Sequence, residues 1–429
     1  MRNPFEKLKK KYEDIAQNPD GLASKIGNFF SPEPQKEKVL RHEDFNAAGD
    51  VYYADVAVAY KIIQRILLLF FVFFLIFSII LNYQEITYEN FYYLFKDFSN
   101  AMDSGSSDYE TLSYDSDQRQ KFALYRGGLA AVSPSTLSLY TATGRRTIRD
   151  NINYSSPHIL CSDKYVLVYD SAGTSFSLYN SFSRIFKDTL EYPITDACFA
   201  EDGKFVIATK DADSRSVMYV YNKSFKKRLK FQYDAYAFDV AISSDRNQIA
   251  MLFYSEGNGT GRTELSICLA DTFAETGVFY FDGEFPLAVT FLDKDRMALI
   301  TDHSIRIFDK DMEQIESISY FDSELVDFEI SDDGIAVCVE KNAKNTIIAF
   351  DKSGKLLYNS FILYNAMQIG LCSDYIFVNT GSGVARIPLK SKKEQELLPS
   401  DNGDMLIYSE DTVLVCGEAK AEYLVFGKN

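Results

Sequence analysis

Hydrophobic and polar positions are mixed along most of the chain, except in one long apolar block. Fifteen of the sixteen residues from Ile66 to Leu81 are strongly apolar. A helix needs about 20 such residues to cross a hydrocarbon layer of about 30 Å, and Ile62 and Ile63 extend the block toward that length. Helices of soluble proteins are rarely apolar on every side. The pattern therefore predicts one transmembrane anchor over residues 61–82, which contacts the lipid bilayer through Ile66 to Leu81.

The charges on either side of this block predict its orientation. Lys61 and Arg65 precede it, whereas Glu85 and Glu89 follow it, and positive charge favours the cytoplasmic side of a membrane. The block does not end in the small residues that cleavage of a signal peptide requires. We therefore expect a single-pass protein of the cell membrane, with residues 1–60 as a cytoplasmic tail and the C-terminal part outside the cell.

Two shorter segments have apolar residues at helical spacing. The first is a basic amphipathic pattern in the tail, which fits a helix on the inner leaflet or on a cytoplasmic partner, and equally a partly disordered tail. The second lies in the juxtamembrane region, 83–108, where a short helix would pack on the ectodomain or the membrane surface, or bind a partner. The first consists of Phe5, Leu8, Tyr12 and Ile15, and the second of Phe91, Leu94, Phe95, Phe98 and Met102.

Beyond residue 108 the pattern changes to short alternating strands that recur with a period. Each of three segments is a strand that ends in an aromatic residue, Asn or Asp, and Lys, followed by a polar turn and a second strand. Asn and Asp suit that place because their side chains hydrogen-bond to the backbone of their own turn. The segments are MYVYNKSFKKR (218–228), IRIFDKDMEQI (305–315) and IIAFDKSGKLL (347–357).

A second hairpin recurs in the same units. It consists of a strand, a tight turn and a nearly continuous apolar strand such as FVIA or IAVCV, which is typical of a strand buried on both faces. The turn recurs every 36–48 residues, and the longest step contains a polar segment, Gly257 to Thr263, which we interpret as a loop. The turns are marked by Gly127, Asp163, Asp202, Asp245, Asp293, Asp332, Asp374 and Asp411.

Units of about 40 residues with four strands each are typical of β-propeller blades. Eight units are visible, which predicts an all-β, eight-bladed propeller over 109–429, preceded by one transmembrane α-helix; seven blades with an irregular end unit is the alternative. The last unit shows only three strands. We expect the alternating segment Tyr109 to Tyr114 to supply the missing outer strand, because ring closure removes exposed strand edges.

Composition narrows the set of partners and cofactors. Residues 1–81 carry 11 Lys and Arg against 10 Asp and Glu, which leaves 34 against 51 for the remainder and a net charge of −17 there. Nucleic acids require a basic surface, so we expect no nucleic-acid partner. Beyond the anchor only His158 and His303 remain, too few for a three-histidine zinc site. The acidic pairs Asp332–Asp333 and Asp211–Asp213 fit hairpin turns better than calcium loops.

The six cysteines show no CxxC spacing and lie in apolar, strand-like runs. We expect them to be unpaired and buried, as small hydrophobic side chains. They are Cys161, Cys198, Cys268, Cys338, Cys372 and Cys416.

Propellers also carry enzymes, whose motifs are missing here. The chain contains no tryptophan, which removes the WD dipeptide, the Asp-box of sialidases and the docking motif of pyrroloquinoline-quinone dehydrogenases, although the turn FDKSGKLL (350–357) resembles that last superfamily. No Gly-x-Ser-x-Gly elbow occurs. We therefore assign no catalytic residue, no metal ligand and no cofactor-binding residue.

The layout as a whole resembles an uncharacterised family of single-pass membrane proteins from Gram-positive bacteria, a domain of unknown function. The likeness rests on the anchor from Lys61 to Leu81, the segment TYENFYYLFKD (87–97) and the blades without tryptophan, and it extends over nearly the whole chain. It implies an extracytoplasmic β-propeller in the cell envelope and no established activity.

The sequence favours a membrane-tethered binding or scaffold module for a protein or cell-envelope ligand, and not an enzyme. Loops held on a rigid propeller are well placed for recognition. Two alternatives stay open. One is a receptor that couples ligand capture outside to the cytoplasmic tail, and the other is an envelope enzyme whose site is built from blade loops.

Overall fold

The computed structural model of the chain describes residues 47–81, 111–115, 119–200, 202–243, 245, 247–257, 259–309, 311–389 and 395–427. The predicted amphipathic helix of the tail and the predicted juxtamembrane helix lie outside the described residues.

The apolar block forms a single long helix, α1 (Ala47–Leu81). Its stretch Val56–Phe77 is long and apolar enough to cross a membrane, and none of its most apolar window is buried inside the protein. The helix begins at Ala47, well before Lys61, so the predicted anchor is the C-terminal part of a longer helix. One apolar helix therefore precedes the propeller, as predicted.

Eight four-stranded antiparallel sheets confirm the predicted eight-bladed propeller. The first strands of the blades contact one another around the ring, so they are the inner strands. In blade order they are β2 (Lys121–Tyr125), β6 (Pro157–Cys161), β10 (Ile194–Phe199), β14 (Tyr236–Ile242), β18 (Pro286–Phe291), β22 (Glu324–Ser331), β26 (Gln368–Cys372) and β30 (Asp404–Ser409).

The second strands are the apolar runs of the sequence, and almost all of their residues are buried. They are β3 (Gly128–Val132), β7 (Val166–Asp170), β11 (Phe205–Lys210), β15 (Gln248–Gly257), β19 (Arg296–Thr301), β23 (Gly334–Lys341), β27 (Tyr375–Asn379) and β31 (Thr412–Cys416). All eight predicted turn markers lie between a first and a second strand. Each core cluster is shared between neighbouring blades, as where Phe176 of blade 2 packs with Phe205 of blade 3.

The third and outer strands complete each blade. The third strands are β4 (Thr136–Tyr140), β8 (Ser175–Tyr179), β12 (Ser216–Tyr221), β16 (Thr260–Leu269), β20 (Ser304–Asp309), β24 (Lys344–Asp351), β28 (Gly383–Pro388) and β32 (Lys420–Val425). The outer strands of blades 1–7 are β5 (Arg146–Asn151), β9 (Arg184–Thr189), β13 (Lys227–Tyr233), β17 (Glu275–Asp282), β21 (Gln314–Ser319), β25 (Leu356–Phe361) and β29 (Glu396–Pro399).

The outer strand of blade 8 comes from the N-terminal side, which confirms the predicted ring closure. This strand, β1 (Leu112–Ser113), pairs with β32 so that Leu112 faces Ala421. The Tyr114 hydroxyl donates hydrogen bonds to the backbone oxygens of Gly417 (2.6 Å) and Lys420 (2.9 Å). The first residues of the predicted closing segment, 109–110, lie outside the described residues.

The three aligned turns have the predicted capping geometry. The Oδ1 atoms of Asn222, Asp309 and Asp351 each accept two backbone N–H bonds of their own turn, at 2.8–3.0 Å. Three residues further on, the backbone is left-handed, with φ of 58° at Phe225 and 71° at Gly354. Only the glycine adopts that conformation without a steric cost.

Two expectations need correction. The segment Gly257 to Thr263 is not a loop, because β15 and β16 are ten residues long and continue into it, so that the long step in blade 4 reflects longer strands. The cysteines are unpaired, as predicted, but not uniformly buried, because three of them, at or next to the ends of inner strands, are partly exposed. The buried thiols are Cys268, Cys338 and Cys416, and the partly exposed ones are Cys161, Cys198 and Cys372.

Candidate functional site

Seven of the eight inner strands carry a polar side chain at or near their start, and we call this set the inner ring. In blade 5 the corresponding residue is Ala288, so the ring is interrupted there. The acidic members of blades 3, 4 and 6 follow a β-bulge in their strand. The ring consists of Lys121, His158, Asp196, Asp239, Asp327, Gln368 and Asp404.

Four members of the inner ring hydrogen-bond to the backbone of the next blade. Asp196 Oδ2 accepts the amide of Val240 at 3.1 Å, and Asp239 Oδ2 accepts that of Val289 at 2.7 Å. Each bonded amide belongs to the residue that follows the equivalent ring position. These bonds join blades that share no strand pairing.

The same arrangement continues in blades 6–8. Asp327 Oδ2 accepts the amide of Ile369 at 2.7 Å. The Gln368 side chain bonds to both backbone groups of Met405, accepting its N–H at 2.7 Å and donating to its oxygen at 2.9 Å. In blade 7 the amide side chain of Gln368 thus takes the place of the aspartate and also links its blade to the next one.

Two neighbouring carboxyl groups in the ring, Asp196 and Asp239, have raised pKa values. Burial, together with the adjacent Asp239 charge, raises the pKa of Asp196 well above its usual range, and burial also raises the pKa of Asp239. The Tyr169 hydroxyl donates to Asp196 Oδ1 at 3.2 Å. Neighbouring carboxylates do not both ionise readily, so each of these two groups makes the ionisation of the other less favourable.

The basic members lie in blades 1 and 2. Lys121 Nζ donates to His158 Nε2 at 2.7 Å. Burial lowers the pKa of Lys121, and burial followed by the Lys121 charge lowers the pKa of His158. The imidazole therefore stays neutral and accepts this bond through Nε2.

The inner strands of blades 1, 2, 6, 7 and 8 line a cavity of about 590 Å³ in the centre of the ring. Glu329 lines it, and burial followed by the charge of Asp327 raises the pKa of Glu329 to about 7. In the described part of the chain no three His, Cys, Asp or Glu side chains are grouped to hold a metal ion. The cavity thus presents, in Glu329, a carboxyl group that can exchange a proton near neutral pH.

Sequence reasoning assigned no function to any residue of the inner ring, although a signal was present. The segments TDACF, FDVAI and VDFEI each have Asp as their second residue at the start of a blade. Aligned by blade, these aspartates are Asp196, Asp239 and Asp327. Their function in joining blades depends on the backbone of the next blade and is not visible in the strand itself.

A second candidate surface lies on the face formed by the connections between blades, and we call it the apolar arc. Its side chains extend from blade 4 to the connection between blades 6 and 7. Phe321, Phe361 and Leu363 are largely exposed, at 69%, 66% and 90% of their full accessible area, and Phe238 and Phe285 are partly exposed, at 37% and 39%. Ring contacts link its first members, with centroids of Phe238 and Phe285 4.8 Å apart. The arc consists of Phe238, Phe285, Phe321, Phe361 and Leu363.

The fold and the ring define the protein as a closed eight-bladed β-propeller preceded by one apolar helix. Residues 104–420 match the family described as "Family of unknown function (DUF5711)". The chain therefore belongs to that family, which confirms the resemblance drawn from the sequence in two respects, a family of unknown function and a β-propeller.

Solved structures show the same fold at low identity. The Saccharomyces cerevisiae protein Sqt1 superposes with a TM-score of 0.53 at 9% identity, over 75% of this chain and all of that one. A structure titled as the eukaryotic initiation factor gives 0.51 at 11% identity, over 73% of this chain and 85% of that one. At such identity the likeness concerns the fold alone. No curated protein matches this chain.

Proposed function

We propose that the chain is a membrane-tethered binding module of the cell envelope that holds a protein partner on the apolar arc. The observation that carries this proposal is the run of exposed large apolar side chains from blade 4 to the connection between blades 6 and 7. Single exposed hydrophobic residues are common on protein surfaces, whereas a set that extends along one face marks an interaction site. Aromatic side chains are also the residues that most often anchor protein interfaces.

The position of the arc supports recognition. Phe285, Phe321 and Leu363 lie in connections between blades, and the sheets on either side hold those connections in place. Loops fixed by a rigid scaffold lose little entropy on binding, which favours affinity. In this proposal the propeller, residues 109–429, is the recognition domain.

The tether in this proposal is the apolar part of α1. Val56–Phe77 has the length and apolarity of a membrane span, and Lys61 and Arg65 favour a cytoplasmic N-terminus. The tail, 1–60, would then lie inside the cell, the anchor would extend over 61–82, and the linker, 83–108, would connect it to a propeller outside.

Site-specific crosslinking tests the binding function. A photoreactive amino acid placed at Phe321 or Phe361 of the full chain should give a discrete protein adduct in native membranes. Phe182, which is 38% exposed in a turn between third and outer strands, is the matched aromatic control and should give none. Equal adducts at all three positions, or no protein adduct at Phe321 and Phe361, would refute a protein site on the arc.

Protease digestion of intact protoplasts tests the topology separately. Since the chain has a mass of 48.8 kDa over 429 residues, loss of everything beyond Leu81 should leave a membrane-bound fragment of about 9 kDa, by simple proportion. If protease added outside the protoplasts leaves the propeller uncleaved, the proposed orientation is wrong.

A further inference from the structure

Blade 3 carries a concentration of positive charge that contrasts with the acidic propeller. Five of the eight residues from Lys223 to Lys230 are Lys or Arg. Residues 82–429 as a whole carry a net charge of −17. The five basic residues lie in the turn after β12 and on the outer strand β13. Lys227 Nζ lies 4.3 Å from the ring centroid of Tyr219, so part of this charge is held in place against the blade. Such a patch attracts anions to a surface that otherwise repels them.

A cavity of about 450 Å³ opens beside this patch, between blades 3 and 4. Its walls are largely apolar and come from the second, third and outer strands of blade 3 and from the first and second strands of blade 4. Four of the residues that line it are buried members of one core cluster shared by the two blades. The apolar lining includes Val206, Val220, Leu229 and Ile249.

Two cationic side chains lie at the polar rim of this cavity, Lys204 and Arg228. Lys204 Nζ is 3.8 Å from Asp271 Oδ1, and the Asp271 side chain is 87% exposed. An ion pair so long and exposed contributes little, so a ligand anion can replace it. Among the described residues, no carboxylate lies within ion-pair distance of the exposed Arg228.

We propose that this cavity binds an amphipathic anion, with its alkyl chain between blades 3 and 4 and its terminal carboxylate or phosphate on Lys204 and Arg228. A water molecule occupies about 30 Å³ in the liquid, and a methylene group has a similar size. At the packing density of protein interiors, 450 Å³ therefore accommodates a chain of roughly ten carbons. The site lies away from the apolar arc and does not depend on the proposed partner or tether.

Photolabelling of the full chain in nanodiscs tests the site with defined probes. A diazirine-bearing octanoate should label peptides that contain Val206, Leu229 or Ile249. Octanoate and octyl phosphate should compete at concentrations at least tenfold lower than octanol, because the alcohol lacks the charge. The ranking of octanoate against octyl phosphate shows whether the site prefers a fatty carboxylate or a lipid-like phosphate.

Substitutions separate the two parts of the site. Arg228→Gln, on an exposed position, should weaken octanoate competition about tenfold and leave octanol competition unchanged. Ala270→Leu, which adds bulk to the cavity lining, should reduce competition by all three probes. Lys344→Gln removes an exposed charge from blade 6 and should change nothing.

Three results would overturn the proposal. They are labelling at other peptides, competition by octanol as strong as by octanoate, and an Arg228→Gln protein that competes like the wild type. The last comparison does not depend on the folding of Ala270→Leu, since Arg228 lies on the surface and its replacement leaves the core intact.

Discussion

The carboxylate of Asp239 in blade 4 accepts a hydrogen bond from the backbone amide of Val289 in blade 5, with 2.7 Å between Oδ2 and N. The two residues are 50 positions apart and belong to sheets that share no strand pairing. Asp196 with Val240 and Asp327 with Ile369 repeat this relationship. The inner ring therefore adds polar links between blades to the apolar packing between their sheets.

Removal of one such link should destabilise the propeller. Asp239→Ala leaves the amide of Val289 without its acceptor in a partly buried place, and a group left unsatisfied in this way costs about 1–3 kcal/mol. We expect a loss of that size in the free energy of unfolding, measured by urea denaturation of the detergent-solubilised chain. Asp282→Ala, at an exposed position on the outer strand of the same blade, is the control. Equal stability of the two variants would contradict a role for the ring in joining blades.

The stability of the fold should depend on the ionisation of Glu329 in the central cavity. Its pKa is raised to about 7, so the folded protein retains a proton that the unfolded chain loses near its ordinary pKa of 4.5. The wild type should lose stability between about pH 4.5 and 7, and Glu329→Gln should not. The gap between them should reach about 3–4 kcal/mol above pH 7, at about 1.4 kcal/mol per pKa unit. The exposed control Glu316→Gln should follow the wild type. If the free energy of unfolding changes with pH in the same way in the wild type, Glu329→Gln and Glu316→Gln, the pKa of Glu329 is not raised.

Ring closure by β1 should add several kcal/mol to the free energy of unfolding of the propeller. Leu112 is 1% exposed in the cluster between blades 8 and 1, and replacing a buried leucine by alanine costs about 2–5 kcal/mol. Leu112→Ala should lower the melting temperature, and a chain truncated before residue 117 should melt earlier and aggregate through the exposed edge of β32. A chain truncated before residue 107 retains the strand and is the control. If the two truncated chains melt alike, β1 does not close the ring in solution.

The thiols should be unreactive in the native protein and fully reactive after denaturation. Burial raises the pKa of Cys161 to about 12 and that of Cys372 to about 11, in Cys372 with a further contribution from Asp333. Few thiolates therefore exist near pH 8 in the folded state, and the thiolate is the species that reacts. Mass spectrometry should find all six cysteines alkylated in denaturant without prior reduction, and slow modification at native conditions. Any pair that requires a reductant would reveal a disulfide.

The architecture of this protein follows from local patterns, so the sequence alone determines most of it. Period-2 alternation, turn residues at regular spacing and unbroken apolar second strands define four strands per unit. The caps at Asn222, Asp309 and Asp351 form within their own turns, which is why they are visible in a single segment. Even the closing strand follows by elimination, since one unit lacks a strand and one segment lacks a partner.

What the tertiary structure alone decided is how separate blades meet. The bulge before Asp239 and the position of the Val289 amide come from different units, and no spacing in either unit encodes their distance. The cavity that Val206 and Ile249 help to line likewise exists only where blades 3 and 4 meet, although the basic run beside it can be read directly from residues 223–230. Strand order depends on contacts between near neighbours in the chain, whereas a binding surface depends on contacts between residues that only the closed ring brings together.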